Sequence, residues 1–194
     1  MSAAYTKAVS AIDAAHALDP NKVTIDGTEI PYELHYAQKC TSYLEKRHPT
    51  ASEPLRLAIR AQHFRRWEVP RASYPMTRPG YYAWRTFLKT RQASLVEAIC
   101  LESGYSAEDA ETVGKLIQKE GLKDNEETMV LEDVACLVFL DDQFEAFEKE
   151  HDEEKILGIL RKTWAKMTDR GRELAREVRM DDRGQELMAK ALEG

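Results

Sequence analysis

Apolar residues recur along this chain with the period of a helix rather than of a strand. Ala4, Val9, Ile12, Ala15 and Leu18 share one side of a segment over 2–18. That segment stops at Asp19-Pro20, because a proline disfavours the helical conformation in the residue before it. Further helices are expected at about 31–47, with Pro31 in the first turn, and at about 53–67, with Ser52 as N-cap and Pro54 just inside. A long helix covers about 80–102 and ends near Gly104. Ser106 and Asp109 form a capping box that opens a helix ending at Gly121. Helical patterns at about 126–149, 152–168 and 169–179 follow, and a break at Asp181-Asp182-Arg183-Gly184 leads to a short terminal helix.

Two stretches depart from this pattern. Residues 19–30 hold short β-branched runs around Asp26-Gly27, which predicts either a tiny hairpin or an irregular loop. The segment EVPRASYPMTRPG (68–80) carries three prolines and cannot stay helical for long. The expected fold class is all-α, a single helical domain of about 7–9 helices with a Pro-rich loop at 68–80. Its core is expected over 1–168, with a C-terminal helical extension, 169–194, packed on or beside it.

Length and composition agree. The chain has 194 residues, 43% hydrophobic and 32% charged, enough for a real core. Three widely spaced cysteines, Cys40, Cys100 and Cys136, lack any CxxC or zinc-like spacing and read as reduced thiols. No signal-peptide pattern opens the sequence, and no apolar run approaches a membrane span. A cytoplasmic protein is the expectation, with a nuclear one compatible. The charged C-terminal repeats suggest a solvated amphipathic surface suited to contact with a second copy, a homodimer.

Charge changes the picture most. Residues 55–96 carry nine Arg or Lys against one acid, Glu68, a net +8 inside a chain whose formal charge is −6. The remainder therefore stands at −14, which excludes wrapping of duplex DNA but leaves a local site for a small anionic or phosphorylated ligand. The same stretch holds Phe64, Trp67, Tyr74, Tyr81, Tyr82, Trp84 and Phe87. Read as a continuous helix, Arg60, His63 and Arg66 offer cation, imidazole and cation three residues apart. Arg71, Tyr74, Tyr81 and Arg85 follow across the Pro-rich loop. Guanidinium groups grip phosphate bidentately, and Trp67, Tyr74 or Tyr81 could stack a flat ring. The competing reading pairs these arginines with the acidic C-terminal half.

Three further residues bear on chemistry. His63 shares a helical face with Ile59 and Trp67, which fits a core histidine as well as a functional one. Asp133 opens the most apolar helix, where a carboxylate must find a cation, a cluster of donors or a metal. A buried Asp133–Arg salt bridge is one such solution. Glu132 beside it points about a quarter-turn away, towards the polar side or a pocket rim, and His35 flanks an apolar stripe. His16, His48 and His151 read as solvated. No P-loop, GxGxxG or HExxH motif is present, and no serine triad is legible.

His35, then His63 on the next helix, then Asp133 further on, is a spacing similar to that of the HD-domain metallophosphohydrolases. That resemblance implies an HD-domain-like helical bundle, with His35, His63 and Asp133 around a divalent metal (Mn, Fe, Co or Mg) and water activation by His63, Asp133 and Glu132. It departs from that pattern at Phe64, where those enzymes carry Asp directly after the second His. The motifs QHFRRWEVPRASYP, RPGYYAWR and LEDVACLVFL resemble, over roughly residues 5–165, a family described only as a domain of unknown function. The expected function is phosphohydrolysis of a small nucleotide-like or phosphorylated metabolite. The alternatives are a non-catalytic module binding an anionic ligand (a nucleotide or an RNA end) and a helical protein-interaction domain.

Overall fold

A computed structural model describes residues 1–122 and 124–193, and among them the chain is helical almost throughout. Helix α1 (Ala3–His16) leads into a hairpin of β1 (Lys22–Ile25) and β2 (Thr28–Pro31). Then come α2 (Tyr32–Arg47), α3 (Glu53–Arg60), α4 (Arg78–Ser103) and α5 (Ala107–Gln118). The second half contains α6 (Glu126–Val138), α7 (Phe144–Lys149), α8 (Glu153–Lys166), α9 (Asp169–Ala175) and α10 (Asp182–Leu192). Side-chain oxygens of Ser2, Ser52, Thr77, Ser106, Asn125, Asp152, Thr168 and Asp181 cap the N-termini of eight of these helices, so the starts are written locally. Half of the expected capping box forms: the Asp109 N–H donates to Ser106 Oγ at 3.1 Å, but the Asp109 carboxylate accepts from the Ser106 hydroxyl at 2.8 Å rather than from its backbone N–H. The hairpin reading of 19–30 also holds. Asp26 and Gly27 take φ of 48° and 79°, the left-handed pair that a tight two-residue turn requires.

Two apolar clusters meet along α6, whose residues Val130–Val138 are nearly all buried. The first joins Ile12, Leu44, Leu55, Val96, Leu116 and Val134. The second joins Leu137, Leu140, Phe144, Leu160, Leu174 and Leu187, so α9 and α10 share a core with α8 and the end of α6. A helix buried on all sides needs this kind of double contact. No helix among the described residues is long and apolar enough to cross a membrane.

The structure departs from the expected elements at several places, and α9 stops at Ala175 rather than near 179. α3 stops at Arg60 rather than near 67, because the buried Glu33 carboxylate of α2 accepts the backbone N–H groups of Arg65, Arg66 and Trp67 at 2.9, 2.6 and 3.2 Å. With that anion available, the donors have no need of helical carbonyls, and His63 and Arg65 turn left-handed (φ 63° and 50°). α5 ends at Gln118, with Lys119 as a left-handed C-cap, before Gly121. The helix expected over 126–149 is interrupted by a π turn at Phe139–Gln143. His16, read as solvated, is fully buried, while Leu18 is exposed.

Candidate functional site

One face of α4 decides where the site lies. Tyr81, Arg85, Leu88, Lys89 and Gln92 recur at helical spacing and line a cavity of about 740 Å³. The opposite wall comes from α8, with Ile159, Lys162, Thr163 and Lys166. α6 and the π turn close the floor with Leu131, Glu132, Cys136, Phe139 and Gln143, and Phe147 follows on α7. His63 and Arg66 enter from the turn after α3, and Lys119 from the end of α5. The π turn adds a residue to the helix at this floor, which re-aims the side chains on either side of it. Asp141 and Asp142 point outward and hold α2 through Lys39, His35 and Tyr32.

The cavity is strongly cationic. Among the described residues, Arg66, Arg85, Lys89, Lys119, Lys162 and Lys166 line it against a single carboxylate, Glu132. Glu132 binds Lys119 closely and lies 3.3 Å from Lys166 Nζ. Burial alone would raise its carboxyl, but Lys119 and Lys166 outweigh that and hold it below the ordinary carboxylate range. Lys89 is pushed down by burial and by the nearby Lys119 and Arg85. Burial and Arg85 lower Arg66 as well. At both groups burial is the larger cause, and the neighbouring cations act in the same direction.

His63 lies flat on Tyr36, with ring centroids 4.3 Å apart and planes 12° from parallel. Its Nε2 accepts from Arg66 Nη1 at 2.8 Å, which puts the imidazole proton on Nδ1. Burial, then Arg66, Arg85 and Lys119, hold its pKa well below the ordinary 6.5, so the ring is neutral. Arg66 also packs on Trp84, 4.8 Å from the ring centroid. Gln92 is buried on the cavity wall, and its Nε2 has no hydrogen-bond partner among the described residues. An unsatisfied buried amide is costly, and this one sits behind the cavity wall. Among the described residues four non-glycine residues are left-handed, and two of them, His63 and Lys119, line this cavity. Strain of that kind gathers at functional sites.

The expected residues divide between this cavity and other duties. His63, Arg66, Tyr81, Arg85 and Glu132 line it. Arg60 does not, because its guanidinium forms a bidentate pair with Asp13 at 2.6 and 2.7 Å once α3 has ended. Arg71 staples the Pro-rich loop through the carbonyls of Tyr74, Pro75 and Thr77. Tyr74 packs on Phe87, and Trp67 lies outside the cavity lining.

The three expected metal ligands are not brought together. His35 Nε2 bonds Asp142 at 3.1 Å, and His63 bonds Arg66. Asp133 is fully buried and takes Arg47 Nε at 2.7 Å, the Thr168 N–H at 2.8 Å and the Thr168 hydroxyl. It is therefore the carboxylate of a buried salt bridge that ties α2 and α9 to α6. Among the described residues no group of three His, Cys, Asp or Glu side chains is placed to hold a metal. Around His63 the donor set is cationic, which does not suit a divalent ion.

Several residues of the site escaped the sequence reading: Lys89, Gln92, Lys119, Lys162, Lys166 and the supporting Glu33. A signal for the first two was present, since 81, 85, 89 and 92 fall on one helical face. Lys162 and Lys166 also stand one turn apart. Nothing in the sequence marks Lys119 or Glu33, whose roles depend on contacts distant along the chain.

A family model for a domain of unknown function (DUF4202) matches residues 6–188, and the chain belongs to that family. No curated protein and no solved structure matches it, so the likeness to the HD-domain enzymes gains no support there.

Proposed function

Because membership of that family assigns no reaction, we propose from the cavity itself that the protein binds a small phosphorylated organic anion of nucleotide size. The observation that carries this is the set of six cations facing one carboxylate around about 740 Å³, a volume within the usual range for small-molecule sites. Arg66 and Arg85 supply forked donors for phosphate oxygens, and the lysines supply point charge. Phe139, Phe147 and Ile159 give an apolar wall for the organic part. A thermal-shift screen of nucleotides and sugar phosphates, repeated on Arg85→Gln, tests this. Stabilisation by members of the panel that Arg85→Gln weakens at least about tenfold is expected. No stabilisation by any phosphorylated compound would sink the reading.

Hydrolysis of the bound ligand is a second reading, favoured by one observation. His63 is a neutral imidazole on the cavity wall, and its Nε2 lone pair becomes free if Arg66 transfers to a ligand phosphate. It could then take a proton from an attacking water. Phosphate release from a nucleotide panel, lost in His63→Gln while ligand binding persists, is the expected result. Retained turnover in that variant removes His63 from the chemistry.

A further inference from the structure

The amount and spread of charge in the cavity exceed what one phosphoryl group can compensate. Lys119 and Lys166 share Glu132, but Arg66, Arg85, Lys89 and Lys162 have no carboxylate in ion-pair range among the described residues. These four come from three parts of the chain: the turn after α3, the α4 face and α8. Arg85 and Lys89 stand one turn apart on α4, as do Lys162 and Lys166 on α8, each pair separated by about 6 Å of helix rise. A single tetrahedral phosphate can meet only some of these groups at hydrogen-bond distance; Arg66, Arg85 and Lys89 are partly buried, while Lys162 stands at the exposed rim.

We propose that the ligand is polyphosphorylated, carrying a chain of two or more phosphoryl groups that spans the Arg85–Lys89 and Lys162–Lys166 pairs. The proposal rests on the anion-binding reading above and narrows its ligand class. In the absence of ligand, Glu132 is the internal substitute anion, holding the two lysines that a phosphate chain would otherwise engage. The depressed proton affinity of Lys89 agrees, since an added anion beside it is what the cluster lacks. The charge also favours the phosphate chain free of divalent cation, because magnesium neutralises the groups the cavity is built to meet.

Titration calorimetry on the full chain in chelator-containing buffer, with inorganic orthophosphate, pyrophosphate and tripolyphosphate, tests the proposal. Affinity is expected to rise at least about tenfold from orthophosphate to tripolyphosphate, with a steeper fall in salt for the longer chain. Lys162→Gln, at an exposed position, and Lys89→Gln should each lower tripolyphosphate affinity several-fold, with orthophosphate changed less. Glu132→Gln should tighten tripolyphosphate, and saturating magnesium should weaken it. Orthophosphate binding as tightly as tripolyphosphate would overturn the proposal while leaving an anion site intact. Tripolyphosphate binding indifferent to both lysine variants would also overturn it, by placing the anion elsewhere. If neither these anions nor any phosphorylated organic compound binds, the underlying anion-site reading fails instead.

Discussion

Replacing Glu33 with glutamine should both destabilise the protein and unfasten the cavity wall. Glu33 is 4% exposed, and its Oε1 accepts from the backbone N–H groups of Arg66 and Trp67. Its Oε2 accepts from Arg65 N–H and faces His16 Nδ1 at 3.2 Å. Glutamine can keep the Oε1 contacts, but its amide nitrogen then confronts the Arg65 N–H, donor against donor. One buried N–H left without a partner costs about 1–3 kcal/mol. The two retained bonds fall from charge-assisted to neutral strength, about 1 kcal/mol each. The total is about 3–5 kcal/mol, or roughly 6–20 °C in Tm for a domain of this size. Urea unfolding followed by far-ultraviolet circular dichroism measures the first effect. Native-state hydrogen exchange at amides 65–67 measures the second, and protection there should fall by more than elsewhere. A loss below about 1 kcal/mol, with protection at those amides unchanged, would refute the argument that Glu33 sets this turn.

Other outcomes follow from the same contacts. Asp133→Asn should cost about 3–5 kcal/mol by chemical denaturation, because its amide would face the Arg47 donor in a fully buried site. Gly171→Ala should cost at least about 1–3 kcal/mol in the same assay, since its Cβ would collide with the carboxylate of Asp133. Nitrogen-detected NMR should find the His63 ring neutral at pH 6, titrating only well below 6.5. The unfolded chain then binds that proton more readily, so the His63 contribution makes stability rise with pH from its native pKa up to about 6.5. A His63 titration at or above 6.5 contradicts the described environment. Lys89 has the same sign at higher pH. Its depressed native pKa means that unliganded stability rises, while anion affinity falls, as pH climbs from that pKa towards the ordinary lysine value of 10.5. Calorimetric affinities that do not decline over that range would remove Lys89 from the binding charge.

The elements were legible because they are written locally. Ser52, Ser106 and Asp26-Gly27 fix two helix starts and a turn through neighbours a few residues away. The end of α3 was not legible, because it depends on a carboxylate that arrives from α2. The same long-range contact explains why the strip Arg60–His63–Arg66 does not exist as a helical face, with Arg60 facing Asp13 instead. The basic segment was a sound pointer to the cavity, but it supplied only Arg66, Arg85 and Lys89 of the six cations. The rest come from α5 and α8, inside a half of the chain that is acidic overall. Net charge over a long stretch conceals the few lysines that folding gathers on one face.

The Glu33 carboxylate also links parts of the chain that never touch the cavity to the residues that do. His16, at the end of α1, places Nδ1 on Glu33 and Nε2 on the Arg60 carbonyl at 3.0 Å. The first helix thus closes both the end of α3 and the turn that follows it. A change at position 16 would be inherited by the cavity two elements away, and tolerated only alongside a change at 33. Among relatives of this chain, positions 16 and 33 should vary as a pair, and a fragment starting after α1 should fold less well around the site than its missing surface area suggests.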